Sequence, residues 1–402
     1  MPKKSHINAK DLQGAVKLIV DATVGVSNIS EELQEKITNP KFLPNTFIQR
    51  IISYIFRFVY RSIRGTTKIM GNGLDIGLKK LAPLLKEKAS SEEREVILAV
   101  LNGVVGDYLE KHNNPLALKM QFRHGGQHIP LQPSEIAKAL PNRNGKILIG
   151  IHGLCMNDLQ WTKNEHNHVE KLASEFGFTP IYLHYNSGKH VSENGREFSQ
   201  FLEKLVANWG IPIESIQIVA HSMGGLISRS ALHYGGLENK GWISLLHKVF
   251  FVGTPHHGAR LERAGNYVDI FLEATPYAKP FAKLGKIRSA GVTDLRYSNL
   301  IDEDWNQHDR FEMRPDERKH IPLSENIEFY AIAATKGNEK GDLQDSLIGD
   351  GLVTLDSAFG NHEKPERQLH LANSNKYTVF NSDHMDLLCN SEVYGKLREW
   401  FG

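Results

Sequence analysis

A chain of 402 residues with 40% hydrophobic and 23% charged residues can hold two or three domains and has the balance of an ordinary globular protein. Its 48 basic and 46 acidic residues nearly cancel, leaving no bulk charge for a nucleic-acid partner. Two cysteines, Cys155 and Cys389, cannot build a disulfide framework, and no Cys/His cluster has zinc-finger spacing, which fits a reducing compartment and offers no zinc site.

The opening MPKKSHINAKDLQG is basic but lacks the apolar core of a secretory signal, which predicts a cytoplasmic location. Residues 10–112 read as helix, with breaks at 38–45, 71–73 and 88–93, so an N-terminal helical region (1–115) is expected before a second domain (116–402). FIQRIISYIFRFVY at 47–60 is too short and too charged to span a bilayer. It is nonetheless strongly amphipathic: Arg50, Arg57, Arg61 and Arg64 form a stripe opposite Ile48, Ile51, Ile52, Ile55 and Val59. Such a helix packs on its neighbours with the arginines in water, or it lays residues 45–65 on an anionic membrane as a peripheral contact.

From 118 the pattern changes. LKMQFRHGGQHIPLQ predicts a hairpin around Gly125 and Gly126. Apolar strand-like runs then alternate with helical patterns, starting at 146, 179, 215, 247, 327 and 375, which predicts a mostly parallel sheet flanked by helices with ligands at the carboxyl ends of its strands. After the first run, IHGLCMNDLQW puts His152, Gly153 and Leu154 in a loop at such an end. After the second, YNSGKHVSENG offers Asn186, Lys189 and His190 as substrate-lining groups, with helix capping by Ser192 as the plainer role of the segment.

The third run, SIQIVAHS, passes into a helical pattern at Met223, Leu226 and Ile227 with a single serine between. A corner that tight needs small neighbours two positions away on both sides, and Ala220 and Gly224 supply them. Ser222 is thereby presented as a nucleophile above the sheet edge, with the helix dipole behind it. The oxyanion formed on attack would be held by the NH of Met223, which follows the nucleophile, and the NH of Leu154.

After the fourth run, FVGTPHHGARLERAG brings His256 and His257 near the pocket, although Pro255 and Gly258 are also an ordinary turn. Residues 259–323 then form an insertion too long for a crossover helix. Its apolar face of Tyr267, Val268, Phe271 and Leu272 suits a helical cap that excludes water over an apolar acyl chain, or else a fixed part of the core.

A serine hydroxyl needs a base, and the base needs a group that fixes its tautomer. LIGDGLVTLDSA follows the fifth run and places Asp350 in a turn between Gly349 and Gly351, with Asp342, Asp345 and Asp356 as rivals. NSDHMDLL follows the sixth and places His384 where it can reach across the sheet, with His370 and His362 in reserve. The chain order Ser222, Asp350, His384 suits this architecture.

Together IHGL, AHSMGG, GTPHHG, DGLV and DHMDLL resemble the α/β-hydrolase superfamily in its lipase branch, and most resemble bacterial lipases and the GPI inositol-deacylase-like hydrolases. The likeness runs over 118–402 and implies an α/β-hydrolase fold and cofactor-free hydrolysis of carboxylic esters. One departure is Ala220, where the motif usually has glycine. Several such lipases hold a structural calcium near the histidine, where Asp386 stands here, but no second ligand is found upstream and calcium is not expected. The function expected is that of a serine esterase of lipase type acting on apolar acyl esters. A thioesterase or amidase would use the same groups, and a hydrolase-shaped scaffold without turnover is the alternative from outside enzymology.

Overall fold

A computed structural model of the chain describes residues 13–14, 92–259, 288–307, 310, 315–338 and 349–402. The described part of the N-terminal helical region is chiefly helix α1 (Glu92–Lys111). The amphipathic stretch at 45–65 and the cap face of Tyr267, Val268, Phe271 and Leu272 lie outside the described residues.

The hairpin expected around Gly125 and Gly126 is present as β1 (Gln121–His124) and β2 (Gln127–Ile129). Strands β3 (Lys146–Ile151), β4 (Thr179–His184), β5 (Ser215–His221), β6 (Leu246–Val252), β7 (Glu328–Ala334) and β8 (Lys376–Val379) are mutually parallel, and β1 pairs antiparallel with β4. The eight strands lie in the order β2-β1-β4-β3-β5-β6-β7-β8. Helices α2 (Pro133–Ala139), α3 (His168–Phe176), α4 (Val191–Asn208), α5 (Met223–Leu237), α6 (Ala290–Asp294), α7 (Leu355–Ala358) and α8 (Ser391–Phe401) complete the described body. This is the α/β-hydrolase fold that the motifs resemble.

Central strands read as continuous apolar runs because helices cover both faces of the sheet, leaving no solvent face for alternate residues. Every residue of β5 is buried. Ile149, Ile218, Val249 and Phe329 stand side by side across four strands, so one row of β-branched and aromatic side chains crosses the core. The same register aligns the carboxyl ends of β3, β5, β6 and β7, and the loops carrying the motifs leave the sheet along one edge.

Helix α1 is fastened to this body by polar bonds and close backbone approach. Asn102 donates to the Leu116 carbonyl (2.8 Å) and accepts from the Leu118 NH (2.9 Å), fixing the segment that leads into β1. Residues 288–307 of the insertion pack against the rest of the described body: Val292, Leu295 and Ile301 are buried, and Ser289 Oγ donates to the Gly103 carbonyl of α1 (2.6 Å). Among the described residues, no helix is long and apolar enough to cross a membrane.

A buried ionic group ties α1 to the sheet. Arg123 Nη1 of β1 donates to Glu95 Oε2 (3.0 Å) and Asp158 Oδ1 (2.9 Å), and His184 Nδ1 lies 3.3 Å from that same Asp158 oxygen. Burial pushes the Asp158 carboxyl up, but His184 and Arg123 outweigh it and bring it down from 3.8 to about 2. A carboxylate held lower in the folded than in the unfolded chain stabilises the fold above its ordinary range, and that stability is lost as pH falls through its folded value. The wild-type chain should therefore lose ~2 kcal/mol from this group between about pH 5 and pH 2. Asp158→Asn should start less stable and lack that increment, as urea midpoints at the two pH values would show. Equal acid losses in both proteins would remove Asp158 from the account.

Candidate active site

Ser222 stands alone between β5 and α5, with φ 53° and ψ −124°. A non-glycine residue in that region is strained by about 1–3 kcal/mol and persists only where its surroundings hold it. Here the Ser222 NH donates to the Val252 carbonyl of β6 (2.9 Å), and α5 begins at the next residue. Helix α5 starts hard against the end of β3: a Cβ on Gly224 would lie 2.5 Å from the Ile151 carbonyl oxygen and 2.8 Å from that of His152. The glycine two positions after the serine is thus required by the neighbouring strand as well as by the corner.

His384 and Asp350 meet as the sequence suggested. His384 Nδ1 donates to Asp350 Oδ2 at 2.6 Å, and the His384 NH donates to the Asp350 carbonyl at 3.2 Å. The second carboxylate oxygen, Oδ1, accepts from the Leu352 NH (2.9 Å) and the Val353 NH (2.8 Å), so the DGLV turn fixes the carboxylate it carries. With Nδ1 as donor, the His384 Nε2 lone pair is free to accept a proton. That nitrogen and Ser222 Oγ are both buried, and neither has a hydrogen-bond partner.

Leu154 and Met223 are buried at the same edge, and among the described residues neither NH has an acceptor. The Leu154 loop lies against the serine, since a Cβ on Gly153 would come within 3.0 Å of Ser222 Cβ. The loop is braced from behind by Tyr185, whose hydroxyl donates to the His152 carbonyl (2.8 Å) and whose ring stacks on the His152 ring. Burial holds the Cys155 thiol well above its ordinary range, so this neighbouring sulfur is kept protonated and is no rival nucleophile.

Two supporting residues carried no role in the sequence reading. His221 Nε2 donates to the His384 carbonyl (3.3 Å), and burial followed by the neighbouring His384 keeps the His221 ring well below the usual imidazole range. It acts as a neutral bracket for the loop that carries His384. Gly253 (φ 65°) sits beneath the His384 ring, where a Cβ would lie 3.0 Å from Cε1. Its place directly after a strand was the available signal, as was the His221 position directly before the serine.

Other expected site residues have different surroundings. Asn186 is spent on structure: its amide donates to the Gly106 carbonyl (2.9 Å) and its oxygen accepts from the Gly188 NH (3.1 Å). Lys189 pairs with Glu197 (2.8 Å) and His190 with Asp294 (3.0 Å). Ser192 does not cap α4, because that helix begins at Val191, whose NH is taken by Asp294 from a distant segment (2.8 Å). Ser192 Oγ instead accepts from the indole of Trp305 (3.0 Å). His256 and His257 are bonded to Arg229 (3.3 Å) and Arg318 (2.7 Å). His370 is exposed, the His362 ring accepts from the Lys364 NH (3.0 Å), Asp356 accepts from Asn361 (3.3 Å), and Asp342 and Asp345 lie outside the described residues. Asp386 does not fit a calcium site, since its carboxylate is taken by the Lys163 ammonium (3.3 Å) and the Asp383 NH (3.1 Å).

A family described as "Domain of unknown function (DUF7379)" matches residues 115–295, less than half of the chain. A search of curated protein sequences finds no match. Among solved structures, the mature lipase BlEst2 of Bacillus licheniformis is 18% identical with a TM-score of 0.42, covering 64% of this chain and 92% of that one. The Staphylococcus hyicus lipase is 12% identical with a TM-score of 0.36, covering 64% and 94%. Phospholipase PlaB from Legionella pneumophila is 15% identical with a TM-score of 0.35, covering 54% of this chain and 45% of that one.

Proposed function

We propose that the chain is a serine hydrolase of carboxylic esters, acting through Ser222, His384 and Asp350. One observation carries this reading: a buried serine held in a strained corner at φ 53° shares the strand-end edge with a buried imidazole whose Nδ1 is bonded to the Asp350 carboxylate at 2.6 Å. His384 Nε2 takes the hydroxyl proton as Ser222 Oγ attacks the ester carbonyl, and Asp350 stabilises the imidazolium without itself being protonated. The Leu154 and Met223 amides hold the tetrahedral oxyanion, a contribution of about 3–4 kcal/mol per donor. Collapse breaks the bond to the alcohol, which leaves with the proton from His384. Water, deprotonated by the same nitrogen, then attacks the acyl-enzyme and releases the acid.

An ester with an apolar acyl group is the substrate class that suits the insertion at 259–323, and the stripe at 45–65 suits peripheral contact with anionic lipid. Labelling with a fluorophosphonate tests the chemistry, since the reagent forms a stable adduct with an activated serine. Wild type should label and Ser222→Ala should not. Equal labelling of the two, or none in either, would overturn the assignment. A chain-length panel of aryl esters and acyl thioesters should show turnover of the esters, and preference for the thioesters would move the reading to a thioesterase with the same machinery.

A further inference from the structure

The loop that carries His384 is gripped by side chains from distant parts of the chain. His221 donates to the carbonyl of His384, Lys163 Nζ to that of Met385 (3.0 Å) and His168 Nε2 to that of Leu387 (2.9 Å). Lys163 Nζ also pairs with the Asp386 carboxylate (3.3 Å). Carbonyls in a loop lie outside any sheet ladder, so the groups that bond them set how far the loop can move.

Lys163 and His168 both stand on the segment that leaves β3, which also carries Leu154. That segment is stiff. Asn157 caps the 3-10 turn at Asp158–Trp161, and Arg123 holds the Asp158 carboxylate (2.9 Å). Lys163 and His166 then exchange backbone hydrogen bonds (2.9 and 3.0 Å) around Asn164 and Glu165, whose φ angles of 52° and 60° make a tight reverse turn. Helix α3 starts at His168, capped by the Asn167 side chain.

The Leu387 carbonyl dictates where the protons of this clamp lie. Because it can only accept, His168 carries its proton on Nε2, and His168 Nδ1 accepts in turn from His166 Nε2 (2.7 Å). Burial brings His168 down from 6.5 to about 4, so the ring is neutral at neutral pH and the order of donors is kept. Tyr394 of α8 stacks on the same ring, with 5.9 Å between centroids.

We propose that Lys163 and His168 are positioning residues for His384, holding the backbone of its loop so that Nε2 faces Ser222 and tying the base to the segment of the oxyanion donor Leu154. The inference rests on the serine-hydrolase reading. Neither side chain touches substrate in that scheme, and a misplacement of about 1 Å at the reacting groups costs up to about 10²-fold in rate. Loss of the clamp therefore falls on kcat and spares KM.

The test compares His168→Leu, His168→Gln and Lys163→Met in the full chain, by the rate of fluorophosphonate labelling and by kcat and KM on one aryl ester. His168→Leu should lower kcat and the labelling rate by about tenfold to 10²-fold, with KM within about twofold of wild type. His168→Gln should recover most of the loss, because its amide nitrogen lies as many bonds from Cα as Nε2 does and can donate to the same carbonyl. Should His168→Leu not fold, Lys163→Met, at a half-buried side chain, should still lower kcat severalfold with the melting temperature nearly unchanged. Wild-type rates in the folded variants, a loss confined to KM, or equal losses in His168→Gln and His168→Leu would overturn this inference alone. Absence of labelling in the wild type would overturn the serine-hydrolase reading and the inference with it.

Discussion

Ser222→Ala should lower kcat on an aryl ester by about 10⁶-fold, and adding His384→Ala should cost little more. The reason is in the geometry. His384 Nδ1 is bonded to Asp350, and the only task of Nε2 in the proposed cycle is to carry the proton to and from the serine. Once the hydroxyl is gone the base has nothing to activate, and what remains is substrate binding with the Leu154 and Met223 amides, worth about 10³–10⁴ over water. Turnover by the two single variants and the double variant, measured on one substrate, decides the point. Losses that multiply would mean that the two groups act independently, and the proposed proton relay would be abandoned.

Asp350→Asn should lower kcat by about 10⁴-fold while leaving the fold nearly as stable as before. An asparagine oxygen can still accept from the Leu352 and Val353 NH groups, so the turn retains its bonds. Its amide, however, would present donors where His384 Nδ1 now donates, at 2.6 Å from the carboxylate. The imidazole then relieves the clash of two donors by moving its proton to Nε2, and the nitrogen that should accept from Ser222 becomes a donor. KM should change little, because the aspartate does not touch substrate in this scheme. Urea midpoints would verify the fold alongside kcat and KM, and a folded variant with less than a tenfold loss would remove Asp350 from the mechanism.

The proposed catalytic groups were legible because each obeys a local rule. A serine between an apolar strand and a helix, flanked by Ala220 and Gly224, has few conformations open to it, and φ 53° is one that the corner demands. Asp350 and His384 follow strands whose order along the chain is also their order in space, β7 beside β8. Asn186 was misleading for a related reason: it does leave a strand at the proper edge, but Gly106 of α1 approaches so closely that the amide is taken by backbone.

The amino-acid sequence by itself determined the parallel sheet, the strained corner and the identity of the three groups proposed for catalysis, because hydrophobic period and tight-turn sterics act over a few residues. Only the tertiary structure decided that Asp294 caps α4, that His221 brackets His384, and that Arg229 lies buried beside His256. These contacts join residues 27 to 163 positions apart. Nothing in the local pattern selects one partner over another at such separations. The packing of helices against the sheet makes that selection, by bringing distant polar groups into water-poor space where each must find a partner or be put to use.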